Sequence, residues 1–261
     1  MSKTAVLIIS FGTSYPETLS KTIAAIEQDI GAAFPGADVF RAFTSGMIRR
    51  KIEKRDGVHI DSPLEAIQKI KDQGYTDVVC QTTHIINGTE YDLMMADLKP
   101  FAKAFDHFTV GRPLLTTHED YREVTAILID ALPEMSPVDA WVYMGHGSEH
   151  TANSAYPAMN YYFESAGHPE CLMGTVEGFP DVEDVVKSLG QTHVKRIGLS
   201  PFMIVAGDHA QNDMAGDDED SWKNILSAAG YEVTCDVRGL GENPAIRAMF
   251  VNHAKNGTPI A

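Results

Sequence analysis

Leu199 to Met214 reads LSPFMIVAGDHAQNDM. It opens as the apolar end of a buried strand, passes through Gly207, and presents Asp208 and His209 where a strand should give way to a loop. Val79 to Met94, VCQTTHIINGTEYDLM, has the same design. With Gly88 laid over Gly207 and no gap, Glu90 falls on His209. A second pair agrees: Ala5–Ser14 is AVLIISFGTS and Ala140–Ser148 is AWVYMGHGS. Each is an apolar run stopping at an X-Gly-small turn, and Phe11 fills the slot that His146 holds in the later copy. A period of about half the chain predicts two similar halves, not a solenoid.

Outward from these stretches, strand-like runs alternate with helical patterns. Ala5–Ser10 is continuously apolar, as a strand buried on both faces should be. Leu19, Ile23, Ile26 and Ile30 mark one face of a helix opened by Pro16. Ser62-Pro63-Leu64-Glu65 is a capping box, with Leu64, Ile67 and Ile70 as the expected buried face. Further strands are expected at 37–43, 77–82, 108–112, 140–144, 171–176, 196–200 and 231–237. Such alternation predicts an α/β fold with parallel sheets and right-handed crossovers, about four strands to each half. The expected division is an N-terminal half at 1–135 and a C-terminal half at 136–261, joined by a linker at Pro133–Pro137. In such sheets ligands bind beyond the carboxyl ends of the strands. Phe11, Glu90, His146, Glu177 and His209 all fall at that edge, with the halves facing each other across a cleft.

The bulk numbers exclude several classes. The 261 residues carry a formal net charge of −15, which disfavours nucleic acid and anionic membranes as partners. No apolar run approaches the roughly 18 residues of a membrane span. MSKTAVLIIS reads as a first strand and not a signal peptide, and the three scattered cysteines contain no C-x-x-C, so a cytoplasmic protein with reduced thiols is expected. Oligomeric state is not legible, and a homo-oligomer stays open.

Of the ten histidines, His59, His107, His168, His193 and His253 lie in polar or terminal settings and read as surface or packing residues, while His84 and His118 are ambiguous. His146 differs, because Gly145 and Gly147 flank it directly after an apolar strand and let the backbone turn sharply. The alternative is a structural turn with an incidental imidazole. His209 follows Gly207-Asp208, with a helix-cap neighbour as its bland reading, and Glu177 ends a strand in GTVEGFP, where a plain turn residue is the alternative. His150 lacks that setting. Together these groups form a candidate divalent-metal site whose imidazole and carboxylate donors suit Co, Ni, Fe or Zn. No His-Glu-x-x-His, P-loop, G-x-S-x-G or G-x-G-x-x-G is present. The acidic run Asp217–Asp220 reads as complementing the helix that begins near Ser221 rather than as a Ca or Mg site.

Motifs over essentially the whole chain resemble the anaerobic cobalt chelatases of cobalamin synthesis, themselves similar to the class II ferrochelatases. They are SFGTS (10–14), RAFTSGM (41–47), HIINGTEY (84–91), MGHGS (144–148), VEGFP (176–180), AGDHAQNDM (206–214), DDEDSWK (217–223) and GLGENPAIR (239–247). The resemblance implies two Rossmann-like halves around a tetrapyrrole cleft and a lyase-class enzyme that inserts Co(II) into sirohydrochlorin. It further implies that His146 and His209 face the metal, that Glu177 completes the metal site, and that Glu90 lies opposite. Periplasmic members bind a haem between subunits; without a signal peptide, neither that location nor that haem is expected here, and no cofactor beyond the substrate metal.

On this reading His146 is the principal base for the two pyrrole protons, assisted by Glu90, since imidazole accepts protons near physiological pH. His146, His209 and Glu177 hold the ion with positions left open. Phe11 and the backbone of Thr13 and Ser14 are candidate substrate contacts, and the basic run Arg49, Arg50, Lys51, Lys54 and Arg55 is a candidate partner for substrate carboxylates. Iron insertion for sirohaem, a non-catalytic tetrapyrrole or metal carrier, and a hydrolase stay open as alternatives.

Overall fold

The computed structural model describes residues 3–132 and 137–260. The linker expected at Pro133–Pro137 lies, but for Pro137, outside the described residues. The chain divides into two compact units, Met1–Thr116 with Gly241–Ala261, and Thr117–Leu240.

The first unit is built on β1 (Thr4–Ser10), β2 (Asp38–Phe43), β3 (Asp77–Thr82) and β4 (His107–Gly111), all parallel, in the order β2-β1-β3-β4. The central β1 has no exposed residue, and Ala5 to Ile9 are 0% exposed, which is why the run carries no polar alternation. Helices α1 (Pro16–Lys21), α2 (Ile23–Ala33), α3 (Gly46–Asp56), α4 (Pro63–Asp72) and α5 (Thr89–Leu98) fill the crossovers. The periodic stripe after Pro16 does not make one helix: the chain breaks at Thr22 (φ −118°, ψ −85°), whose hydroxyl donates back to the Thr18 carbonyl. The capping box at Ser62 and Glu65 forms as expected. Leu64 is nevertheless exposed; the buried face of α4 is Pro63, Ala66, Ile67 and Ile70, because Leu64 sits beside Pro63 and points a third of a turn away from that stripe.

The second unit contains α6 (His118–Ala131), β5 (Ala140–Gly145), α7 (Ala155–Ser165), β6 (Cys171–Thr175), α8 (Val182–Leu189), β7 (Arg196–Phe202), α9 (Trp222–Ala228) and β8 (Glu232–Cys235). Its parallel sheet runs β6-β5-β7-β8, so the third strand again pairs with the first, the same winding as in the first unit. Val142, Met144, Ile197 and Leu199 from the central strands pack with Val185, Leu189, Trp222 and Leu226 from α8 and α9.

Two features redraw the expected halves at 1–135 and 136–261. Helix α6 belongs with the later sheet, where it packs on α7 and Tyr121 stacks on Tyr162 at 5.1 Å. The chain end returns to the first unit: α10 (Pro244–Lys255) packs on α2, Arg247 pairs with Asp29 at 2.6 Å, and β9 (Thr258–Pro259) adds an antiparallel fifth strand beside β4. Among the described residues no helix is long and apolar enough to cross a membrane.

Candidate functional site

In the second unit the carboxyl ends of β5, β6 and β7 feed three loops that carry His146, Glu177 and His209. One ligand atom from each lies within 4.8 Å of the others. The two imidazole rings are 4.8 Å apart and mutually perpendicular, and His146 Nε2 is 3.8 Å from Glu177 Oε2. His209 is about one-third exposed and the other two more so, which leaves the cluster open to an incoming ion.

Each histidine is oriented through its Nδ1. His146 Nδ1 is 2.9 Å from the Gly147 carbonyl oxygen; a carbonyl only accepts, so Nδ1 carries the hydrogen and Nε2 is left as the donor atom for a metal. His209 Nδ1 likewise donates to the Asp213 carboxylate. That acceptor stands one π-helical turn further on, within Ala210–Met214. The sequence reading missed Asp213; the signal was a carboxylate at i+4 from a candidate ligand on a helical turn.

The loops are tied to one another by their backbones. Val176 N–H donates to the Gly145 carbonyl at 3.0 Å and Glu177 N–H to the His146 carbonyl at 2.7 Å. Gly147 sits at φ +86°, and a Cβ there would lie 2.5 Å from Gly178 N and 2.8 Å from Glu177 C, so only glycine lets the two turns touch. Asn153 bridges them from the side: its Oδ1 accepts from Ser148 N–H at 3.0 Å and its Nδ2 donates to the Phe179 carbonyl at 2.7 Å. Thr175 closes the far end, with N–H and hydroxyl both donating to the Pro180 carbonyl. Asn153→Ala removes both lateral bonds and is expected to cost about 1–3 kcal/mol of stability, read from thermal unfolding.

The first unit repeats this backbone without the ligands. Thr44 N–H donates to Ser10 O at 2.9 Å and Ser45 N–H to Phe11 O at 3.2 Å, and Gly12 lies at φ +104°. Phe11 and Ser45 thus occupy the places of His146 and Glu177. Phe11 is 43% exposed, an apolar face at the sheet edge. Thr13 and Ser14 are buried; the Thr13 hydroxyl accepts from Tyr15 N–H and the Ser14 carbonyl accepts from Arg55, so they shape the loop. Glu90 is partly buried in the first turn of α5, after Gly88 at the N-cap. It belongs to the first unit and is not a member of the three-residue cluster.

Most of the other histidines and charged candidates have structural partners. His150 Nδ1 accepts from Ala152 N–H, His168 pairs with Glu170, His107 with Asp77, and His253 is buried against the Arg112 carbonyl. His118 bonds Tyr162. His84 bonds Thr82 through Nδ1, and burial pushes its imidazole down to about 4. His59, Asp61 and Glu65 also gather ligand atoms within 4.8 Å, but Lys69 and Arg49 already pair with the two carboxylates and Glu65 caps α4. In the acidic run, Lys223 bonds Asp217 and lowers its carboxyl, while Ser221 caps α9. On basic α3, Arg49 pairs with Glu65 and Arg55 with Asp56.

Residues 4–258 match the family model described as cobalt chelatase (CbiK). A curated sirohydrochlorin cobaltochelatase from Salmonella typhimurium is 47% identical over 251 residues, covering 96% of this chain and 95% of that one. The sirohydrochlorin cobaltochelatase CbiKC of Nitratidesulfovibrio vulgaris is 34% identical over 256 residues, covering 97% and 90%. Among solved structures, SirB from Bacillus subtilis with Fe3+ superposes with a TM-score of 0.68 at 12% identity, covering 97% of this chain and 95% of that one, a likeness of fold alone. A match that runs from the first strand to the last makes this chain a member of the cobalt chelatase (CbiK) family.

Proposed function

We propose that this protein is a sirohydrochlorin cobaltochelatase, inserting Co(II) into the macrocycle with release of two protons. The observation that carries the reading is the trio His146, Glu177 and His209, gathered within 4.8 Å at the strand ends in a chain nearly half identical to a curated sirohydrochlorin cobaltochelatase. Three donors with open positions suit an ion that has to leave again, where a closed four-ligand site would retain it.

In this mechanism His146 Nε2, Glu177 and His209 Nε2 hold the metal substrate while pyrrole nitrogens displace them. His146 Nδ1 already gives its hydrogen to the Gly147 carbonyl, so Nε2 is its one nitrogen available for either an ion or a proton. Its two roles are therefore sequential: ligand first, base once it has released the ion. Glu90 assists as the second proton acceptor, and Phe11 offers its exposed ring to the flat substrate. Arg50 and Lys51 of α3 are the groups we assign to the substrate's carboxylates. The donor set also suits Fe(II) and Ni(II). The protein works in the cytoplasm, consistent with three cysteines that are all free.

The test is an anaerobic absorbance assay with sirohydrochlorin and equimolar Co(II) or Fe(II). Cobalt-dependent conversion at an enzyme-limited rate is expected. Conversion with iron alone would make it a ferrochelatase, and tight binding of the finished metallated ring with no insertion would make it a carrier.

A further inference from the structure

We propose that Asp213 is a positioning residue that makes His209 the holding ligand and leaves His146 the yielding one. The inference rests on the metal reading above and deepens it. The two imidazoles present the same atom to the ion but are anchored differently. His146 Nδ1–H meets a neutral backbone carbonyl; His209 Nδ1–H meets the carboxylate of Asp213. A carboxylate acceptor fixes the ring and draws electron density toward Nε2, strengthening it as a donor, whereas a neutral carbonyl does so less.

The local backbone places Asp213 for this task. The chain leaves β7, passes Gly207, and winds Ala210–Met214 as a π-helical turn, a form that recurs at functional sites. Gln211 N–H bonds the Gly207 carbonyl at 3.1 Å and Gly216 N–H bonds the Asn212 carbonyl at 2.9 Å, closing the turn at both ends. The neighbouring acid, Asp208, accepts from Asn212 Nδ2 at 3.1 Å, while the His209 Nδ1–H is met by the Asp213 carboxylate. A trio with unequal grips has a preferred order of release: His146 lets go first and is freed for its proton while His209 still steers the ion.

The test measures Co(II) binding in the absence of sirohydrochlorin, by calorimetry and by the visible bands of the bound ion, beside steady-state insertion kinetics. The variants are Asp213→Asn, which keeps an oxygen to accept the Nδ1 hydrogen but not the charge, Asp213→Ala, Asp213→Glu and His209→Ala. Asp213→Asn is expected to weaken Co(II) binding roughly 10- to 100-fold, with KM for cobalt rising in step, kcat changing far less, and the visible bands shifting. Asp213→Ala loses orientation as well and falls further, and Asp213→Glu restores part of the affinity. Wild-type affinity and spectra in Asp213→Asn and Asp213→Ala, with binding lost in His209→Ala, would overturn the role of Asp213 alone. Wild-type binding in His209→Ala would overturn the metal site itself and this inference with it.

Discussion

His209→Ala is expected to abolish cobalt insertion while the protein stays folded, and His146→Ala to do the same. Each removes one of only three gathered donors, and His146→Ala also removes the proposed base. A loss of more than about a hundredfold in kcat/KM is expected, equivalent to roughly 2.7 kcal/mol of transition-state stabilisation. Neither ring belongs to the hydrophobic cluster of its unit, and both are partly exposed, His146 directly after β5 and His209 at the head of the π-helical turn. Their removal should therefore cost less than about 1 kcal/mol of folding stability. The measurement is the anaerobic sirohydrochlorin assay alongside thermal unfolding. If both variants insert cobalt at the wild-type rate, the assigned roles are wrong.

Gly147→Ala should be nearly as damaging to activity although it deletes no ligand. The residue lies at φ +86°, where an L side chain costs about 1–2 kcal/mol. Its Cβ would also stand 2.5 Å from Gly178 N and 2.8 Å from Glu177 C, and both are backbone atoms with no rotamer to swing away. The turns bearing His146 and Glu177 must then separate, which strains the 2.7 Å bond from Glu177 N–H to the His146 carbonyl. Misplacement of a reacting group by about 1 Å costs on the order of a hundredfold in rate. The combined expectation is a loss of about 3 kcal/mol in stability and on the order of a hundredfold in insertion, seen as a lowered unfolding midpoint and a collapsed kcat. A variant that melts and turns over like wild type would show that the close approach of these turns has no bearing on the site.

The parts of this architecture that declare themselves in sequence are those governed by local rules. Ala5–Ile9 is legible as a doubly buried strand because nothing polar interrupts it, and Ser62 with Glu65 announces the start of α4 by mutual capping. The internal repeat foretells that two sheets share one winding. What escapes is decided at long range. The two residues of β9 carry no strand signal, and their place beside β4 follows from α10 docking on α2. Tyr121 offers no hint of its stacking on Tyr162, so α6 is assigned to the wrong half when read from sequence. The break at Thr22 is equally hidden, since Leu19, Ile23 and Ile26 keep helical spacing across it. At the site, flanking glycines single out His146, and the acid or imidazole after an apolar run singles out Glu177 and His209. Asp213 stays unseen because an acid on a polar turn looks like any solvated carboxylate until a ring nitrogen is found against it.

The turn after β1 and the turn after β5 are the same object, with matching cross-loop hydrogen bonds and a left-handed glycine in each. One displays a benzyl group followed by a serine across the gap; the other displays an imidazole followed by a carboxylate. Doubling of the scaffold has therefore not doubled its reactivity. Among the described residues the two cradles match in backbone, yet only the later one carries the gathered His146, Glu177 and His209, so on the proposed role the capacity for cargo follows three side chains and not the internal symmetry.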